Sequence, residues 1–213
     1  MTRLDPALIE GFRALATPLV SDNLHRLRGA AAGLRPWHGD AVMVGRALTV
    51  RTRPGDNLMV HKAIDLAEPG DVVVVDAGGA IDNAIVGDIM MRLAMKRGAA
   101  GFVIDGAARD LAAYRETGFP LFARAITHRG PWKDGPGLLN VPVSIGGLVV
   151  RSGDLVMGDL DGLLAAPAEE APRLLEAARA QGEAEARMLA AIKDGSIDRS
   201  WVDARLAERG LSA

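Results

Sequence analysis

Apolar residues recur at helical spacing over residues 5–15, where Leu8, Ile9, Phe12 and Leu15 share one stripe, and this predicts a first amphipathic helix. Ser21, followed by Asp22-Asn23-Leu24, has the chemistry of an N-cap and predicts a second short helix that ends by Gly29 or Gly33. The run AVMVGRALTVRT at 41–52 predicts paired strands broken around Gly45. A helix is expected over 57–66, stopped by the Pro69-Gly70 turn. DVVVVDA at 71–77 is a continuous β-branched run, the pattern of a strand buried on both faces. Residues 85–96 read as helix with Gly98 as the C-terminal stop. GFVID at 101–105 reads as a second buried strand, followed by a turn at Gly106 and a short helix from about Arg109. Strand, helix, strand, helix predicts a parallel βαβ unit. From 121 to 166 short apolar runs alternate with Gly and Pro turns, which suits a β-rich layer or small barrel. Residues 172–193 form a charged helical segment, with a tail helix near 200–209. No Pro-, Gly- and Ser-rich linker and no repeat interrupts the 213 residues. One domain, 1–213, is therefore expected, with a C-terminal helical segment at about 170–210.

Composition narrows the function. Apolar residues at 49% and charged residues at 24% are an ordinary globular balance. A formal net charge of −2 and an aromatic content of 4% supply neither a field nor stacking platforms, so no nucleic-acid or membrane partner is expected. The chain has no cysteine, which excludes disulfides, thiolate metal sites and a cysteine nucleophile. A metal would have to be held by oxygen or imidazole. The four histidines lack HxH or HExxH spacing, and neither a GxSxG elbow nor a GxGxxG loop occurs. The N-terminal stretch lacks the apolar run of a signal peptide, and Val72–Val75 is too short to span a bilayer, so a cytoplasmic location is expected.

Ligands in parallel sheets usually bind at the carboxyl ends of the strands. Two loops fall there, one from Gly78-Gly79 to Asn83 and one from Gly106 to Asp110, and neighbouring parallel strands would bring them to one edge. Asp88, Arg109 and Asp110 would then converge. A hard cation such as Mg²⁺ needs only one or two carboxylates because it keeps several waters. Arg109 beside it would clamp a carboxylate or a developing oxyanion. If Asp88 opens its helix, the free N–H groups of Ile89 and Met90 would hold an anion. The plainer reading of Arg109-Asp110 is a surface charge pair at a helix start. Arg124, His128 and Lys133 read first as solvated loop residues, any one of which would serve to anchor a distal carboxylate. Asp154, Asp159 and Asp161 lack the EF-hand glutamate and read as turn residues, and Met90 and Met91 as core packing.

The run GGAIDNAIVGDIMMRLAMKRGAAGFVIDGAARD at 78–110 resembles the RraA-like family, which includes the 4-hydroxy-4-methyl-2-oxoglutarate aldolases, class II pyruvate aldolases. Its central pattern is Asp88, twenty intervening residues, then Arg109-Asp110. VSDNLHRL at 20–27, PGDN at 54–57, FPLFAR at 119–124 and NVPVSIGGLVVRSGDLVMGDLDGLLAAP at 140–167 extend the likeness over nearly the whole chain. The resemblance implies an α/β/α sandwich with a swivelling β/β/α arrangement. It implies metal-dependent cleavage of a 4-hydroxy-2-oxo acid to pyruvate, with oxaloacetate decarboxylation as a second activity. Asp110 is the implied ligand of Mg²⁺ or Mn²⁺, and Arg109 the partner of the enolate oxygen. Asp88 is the carboxylate that contacts water on the metal. Gly87, Asp88, Ile89 and Met90 would bind the pyruvyl carboxylate. A glutamate from a neighbouring subunit completes the family's site, and Glu185 is the position chosen for it, with Glu183 second. Assembly as a homotrimer or hexamer with active sites between subunits follows. Some active members carry an acidic residue three positions after the Arg-Asp pair, where this chain has Ala113. The alternative is a non-catalytic protein-binding regulator of the ribonuclease E type, whose members resemble relatives without the metal-binding aspartates. A quinone methyltransferase is disfavoured because no adenosylmethionine loop is present.

Overall fold

The computed structural model describes residues 4–30 and 32–211. In chain order its elements are α1 (Pro6–Arg13), α2 (Thr17–Asp22), β1 (Arg35–Pro36), β2 (Met43–Thr52), α3 (Leu58–Leu66) and β3 (Asp71–Asp76). Then come β4 (Ala84–Val86), α4 (Asp88–Arg97), β5 (Gly101–Ala108), α5 (Leu111–Thr117), β6 (Leu121–Ile126) and β7 (Gly137–Leu139). The chain continues through β8 (Val143–Ile145), β9 (Leu148–Val150), β10 (Leu155–Asp159), β11 (Gly162–Ala166), α6 (Ala171–Asp194) and α7 (Ser200–Glu208). Two compact units divide these residues, one ending at Ala178 and one beginning at Arg179.

The first unit is built on one sheet in the order β1-β6-β5-β3-β2-β10-β11, with β4 added to β5 and β7 to β2. Strands β2, β3, β5 and β6 are parallel, in a register that aligns Thr49, Val74, Val103 and Phe122 across the sheet. Parallel neighbours need crossovers, and α3, α4 and α5 supply them. Alternation along each strand sorts the side chains to two faces. Leu48, Val50, Val73, Val75, Phe102 and Ile104 meet Val60, Ile64, Met91 and Tyr114 of the helices. Ala47, Val72, Val74 and Val103 meet Val143, Ile145, Leu148 and Val150 of the β8–β9 hairpin. Hairpin, sheet and helices are thus the β/β/α layers of an α/β fold. A third cluster packs Phe12, Val20 and Leu174 of α1, α2 and the start of α6 against Met157 and Leu164. Complete burial of side chains such as Val72–Val75 contributes about 1.5 kcal/mol or more each.

Several boundaries differ from those expected. Helix α2 begins at Thr17 rather than after Ser21, because Pro18 fits the first helical turn and the Thr17 N–H is met by Asp159 Oδ2 at 2.7 Å. Strand β2 runs unbroken through Gly45, where the glycine serves a close approach: a Cβ there would collide with the Gly70 carbonyl and come within 2.9 Å of Val72. Residues 84–86 are strand, and the helix starts only at Asp88. Pairing of β4 with Ala107 and Ala108 also carries β5 past Gly106, where a turn was expected. Gly98 stops α4 in the left-handed conformation, φ 79°, as its position implied.

Candidate functional site

Because β3 and β5 run parallel, the segments after them leave the sheet at one edge, and the geometry there is tight. Gly87 precedes α4 and Asp88 is its first residue. The Arg109 N–H donates to the Val86 carbonyl at 3.0 Å, which ties the end of β5 to the strand before α4. Asp110 then adopts a left-handed conformation, φ 61°, uncommon for a residue other than glycine. Its carboxylate does not cap the helix that follows. Instead Oδ2 accepts the Asp88 N–H at 2.9 Å, across 22 positions of sequence. A Cβ on Gly87 would run into that carboxylate and lie 3.1 Å from Arg109 Nε. One on Gly130 would lie 3.2 Å from Arg109 Nη1, so two glycines leave the room in which the guanidinium sits. Arg109 Nε is 3.6 Å from Asp110 Oδ2. Asp88 Oδ1 accepts from Arg92 Nε at 2.7 Å, one turn along α4.

These residues border a cleft of about 120 Å³, room for a small acid. Gly87, Ile89, Met90, Arg109 and Asp110 line it, and a shallower concavity beside it is lined by Asp88, Asp110 and Ala113. The first four N–H groups of a helix have no intrahelical partner. At α4 the Asp88 N–H is taken by Asp110, which leaves those of Ile89 and Met90 for a ligand.

The cleft also contains residues that pattern reading did not single out: Asn57 and His61, joined by Lys133. Asn57 is 2% exposed; its amide nitrogen donates to the Ile85 carbonyl at 2.9 Å, and its Oδ1 has no partner among the described residues. The signal that would have found it is the PGDN run itself. Asp56 is fully buried and its Oδ2 accepts the N–H groups of Asp134 and Gly135 at 2.8 and 3.0 Å, fastening the loop that carries Lys133. Burial alone would raise the Asp56 pKa, but the N–H donors of Leu58, Asp134 and Gly135, with Arg53, hold it below the usual carboxylate range. Burial, then the charge of Lys133, pushes His61 below its ordinary value against the opposing pull of Asp65. Tyr114, the buried residue of α5, is held protonated by burial and by the negative charges of Asp110 and Asp88.

Among the described residues no three His, Asp or Glu side chains gather as a metal cluster. The donor set still suits a hard cation, since Mg²⁺ retains most of its water and takes one or two carboxylates. Asp110 Oδ2 is occupied by the Asp88 N–H, and a cation would use the carboxylate of Asp110 with that of Asp88 nearby. Glu185 lies on α6 in the second unit, exposed, and accepts from Gln181 Nε2 at 3.0 Å. Arg124 pairs with Asp105, whose Oδ2 accepts the Gly146 N–H at 2.9 Å, so it anchors the β8–β9 turn. Asp154 and Asp159 accept backbone N–H groups in turns, and His128 is exposed.

Comparison with known proteins agrees with this architecture. The model of the RraA-like family, described as aldolase/RraA, matches residues 17–165. A Halalkalibacterium halodurans protein provisionally named a 4-hydroxy-4-methyl-2-oxoglutarate aldolase is 40% identical over 88% of this chain and 90% of its own. A solved structure of an uncharacterised Pseudomonas syringae protein superposes with a TM-score of 0.84 at 31% identity, covering 92% of both chains. The structure of the RNA-processing inhibitor RraA from Thermus thermophilus gives 0.66 at 34% identity, covering 71% of this chain and 92% of that one.

Proposed function

The chain belongs to the RraA-like family, and on that premise we propose that it is a cytoplasmic carbon–carbon lyase. It cleaves a 4-hydroxy-2-oxo acid, such as 4-hydroxy-4-methyl-2-oxoglutarate, to pyruvate with the help of Mg²⁺ or Mn²⁺. Decarboxylation of oxaloacetate, which passes through the same enolate, is its second activity. The observation that carries this reading is the meeting of Asp88, Arg109 and Asp110 at the start of α4, with one cleft beside them.

Asp110, with Asp88, would hold the cation, which when bound supplies Lewis-acid polarisation of the 2-keto group. The free N–H groups of Ile89 and Met90, at the positive end of α4, grip the 1-carboxylate. Arg109, confined between Gly87 and Gly130, presents its fork to the keto oxygen as negative charge develops there. The C4 hydroxyl loses its proton, the C3–C4 pair moves into the enolate, and C4 becomes a carbonyl. Asp88, partly exposed at the mouth of the site, orients the water that carries this proton and returns one to C3. Glu185 of a neighbouring subunit would share that task in a homotrimer or hexamer.

Pyruvate release from 4-hydroxy-4-methyl-2-oxoglutarate and from oxaloacetate, with Mg²⁺ and after chelation, tests the reading. Wild type is expected to be active only with metal. Asp110→Asn is expected to remove the metal response, and Arg109→Ala to lower the rate about 10²–10³-fold. Metal-independent release, or an Arg109→Ala protein close to wild type, would refute it. The Thermus thermophilus structure, described as an RNA-processing inhibitor, favours a second reading, a non-catalytic protein-binding regulator; retention of Asp88, Arg109 and Asp110 weighs against it, and absence of pyruvate from both compounds would bring it forward.

A further inference from the structure

Tyr114 is the largest fully buried side chain among the described residues, and its phenol oxygen has no hydrogen-bond partner there. A buried tyrosine usually finds a partner for its O–H, and one left without costs free energy that a phenylalanine in the same place would not. The ring needs no hydroxyl to pack. It lies against Phe119, ring centres 6.4 Å apart, in the cluster that also holds Met91, Phe102 and Ala108. The hydroxyl therefore serves something other than the core.

What lies in its direction is the start of its own helix. Tyr114 follows Asp110 by one turn, Asp110 being the residue that precedes α5, and long side chains on a helix lean back over the preceding turn. Burial, then the negative charges of Asp110 and Asp88, keeps the phenol protonated, so it remains a donor, and the charges it feels are those of these two carboxylates. Asp110 has the complementary deficit. Its Oδ2 accepts the Asp88 N–H at 2.9 Å, while Oδ1 receives no hydrogen bond from any described residue. Nor is this carboxylate tied down by capping α5. An O–H without an acceptor thus stands one helical turn from a carboxylate oxygen without a donor. No direct bond joins them, and a single water closes such a gap.

We propose that Tyr114 is a positioning residue: through a bridging water its hydroxyl donates to Asp110 Oδ1 from the buried side, and so fixes the orientation in which that carboxylate meets a divalent cation. This rests on the reading of Asp110 as the residue that holds the cation. Each carboxylate oxygen has two acceptor sites, so Asp110 can take both the Asp88 N–H and this second bond and still bind metal. Without the second bond it is held at Oδ2 alone and turns about that contact. Groups behind a metal ligand typically govern affinity by about ten- to a hundredfold.

The test compares wild type with Tyr114→Phe in two measurements made without substrate: titration calorimetry with Mn²⁺, and the thermal melt of the metal-free protein. The Mn²⁺ dissociation constant of the variant is expected to rise about tenfold or more. Its metal-free melting temperature is expected to equal or exceed that of wild type, because an unpaired buried hydroxyl has been removed. Unchanged Mn²⁺ affinity in the variant, with wild type binding the ion, would overturn the role and leave the aldolase reading standing. A metal-free melting temperature several degrees lower would overturn it as well, by making the hydroxyl part of the fold. Weakened Mn²⁺ binding in the variant, where wild type releases no pyruvate, would keep the role and overturn the aldolase reading. Absence of Mn²⁺ binding by wild type would overturn both.

Discussion

Gly87 has φ −154° and ψ −167°, angles that any residue adopts, so its backbone does not call for glycine. What calls for it is space, because a Cβ would meet the Asp110 carboxylate and the Arg109 side chain, and those side chains rather than the backbone would have to shift. Gly98, at φ 79°, is the contrasting case, where a side chain strains the backbone whatever room is available. Gly87→Ala is accordingly expected to leave the unfolding midpoint within a few degrees of wild type while displacing the two groups that do the chemistry. A misplacement of about 1 Å costs on the order of a hundredfold in rate, so pyruvate release should fall by that amount with circular dichroism unchanged. A variant with wild-type turnover would mean that Asp110 and Arg109 are not held where the chemistry needs them. Asp110 carries strain of about 1 kcal/mol or more in its left-handed conformation. This is consistent with a residue kept for its carboxylate at the expense of its backbone.

At the scale of elements, the cleft depends on two loops that no regular strand pairing joins. The segment before α3 and the segment before β7 are fastened by the buried Asp56, by the Asn57 N–H to Trp132 bond, and by the Trp132 N–H to the Gly55 carbonyl at 2.8 Å. Asp56→Ala would leave three N–H groups without this acceptor, that of Gly135 buried and those of Leu58 and Asp134 partly so, at about 1–3 kcal/mol for such a loss. The expected outcome in a thermal melt is a fall of roughly 5 °C or more, with Asp56→Asn losing less because one acceptor oxygen remains. The sign of the pH effect follows from the lowered pKa. Asp56 binds its proton less readily folded than unfolded, so its contribution is complete above the unfolded value of about 4 and is lost as pH falls through the folded one. Wild type should therefore lose more stability below about pH 4 than Asp56→Ala does. Parallel loss in the two proteins would remove Asp56 from that role.

For the whole molecule, the arrangement that matters is the common edge of the parallel strands, where the segments after β3 and β5 come together. Ile89 of α4, which lines the cleft, and Leu93, one turn further along the helix, are 73% and 45% exposed. Exposed apolar side chains next to a site are characteristic of an interface. Light scattering after size exclusion should give a mass that is a multiple of three chains, and a wild-type monomer with full activity would eliminate the shared site and Glu185 with it.

Periodicity along the chain was sufficient for the central architecture, because long buried strands and amphipathic helices write their environment into every residue: 71–76, 101–105 and most of α3, α4 and α6 were legible. The resemblance over 78–110 marked Asp88, Arg109 and Asp110. Boundaries went astray where a contact distant in sequence decides them. Residues 84–86 became strand through pairing with Ala107 and Ala108, and Gly45 was kept for the nearness of Gly70 rather than for a break. The PGDN run marked Asn57 without its task, and the duty of Asp56 was not legible, since a polar residue before a helix has the same local signature whether it caps that helix or fastens a loop some 78 residues away. Local pattern reports which face of an element is buried; which distant group it is buried against is decided only when the sheet closes its edge.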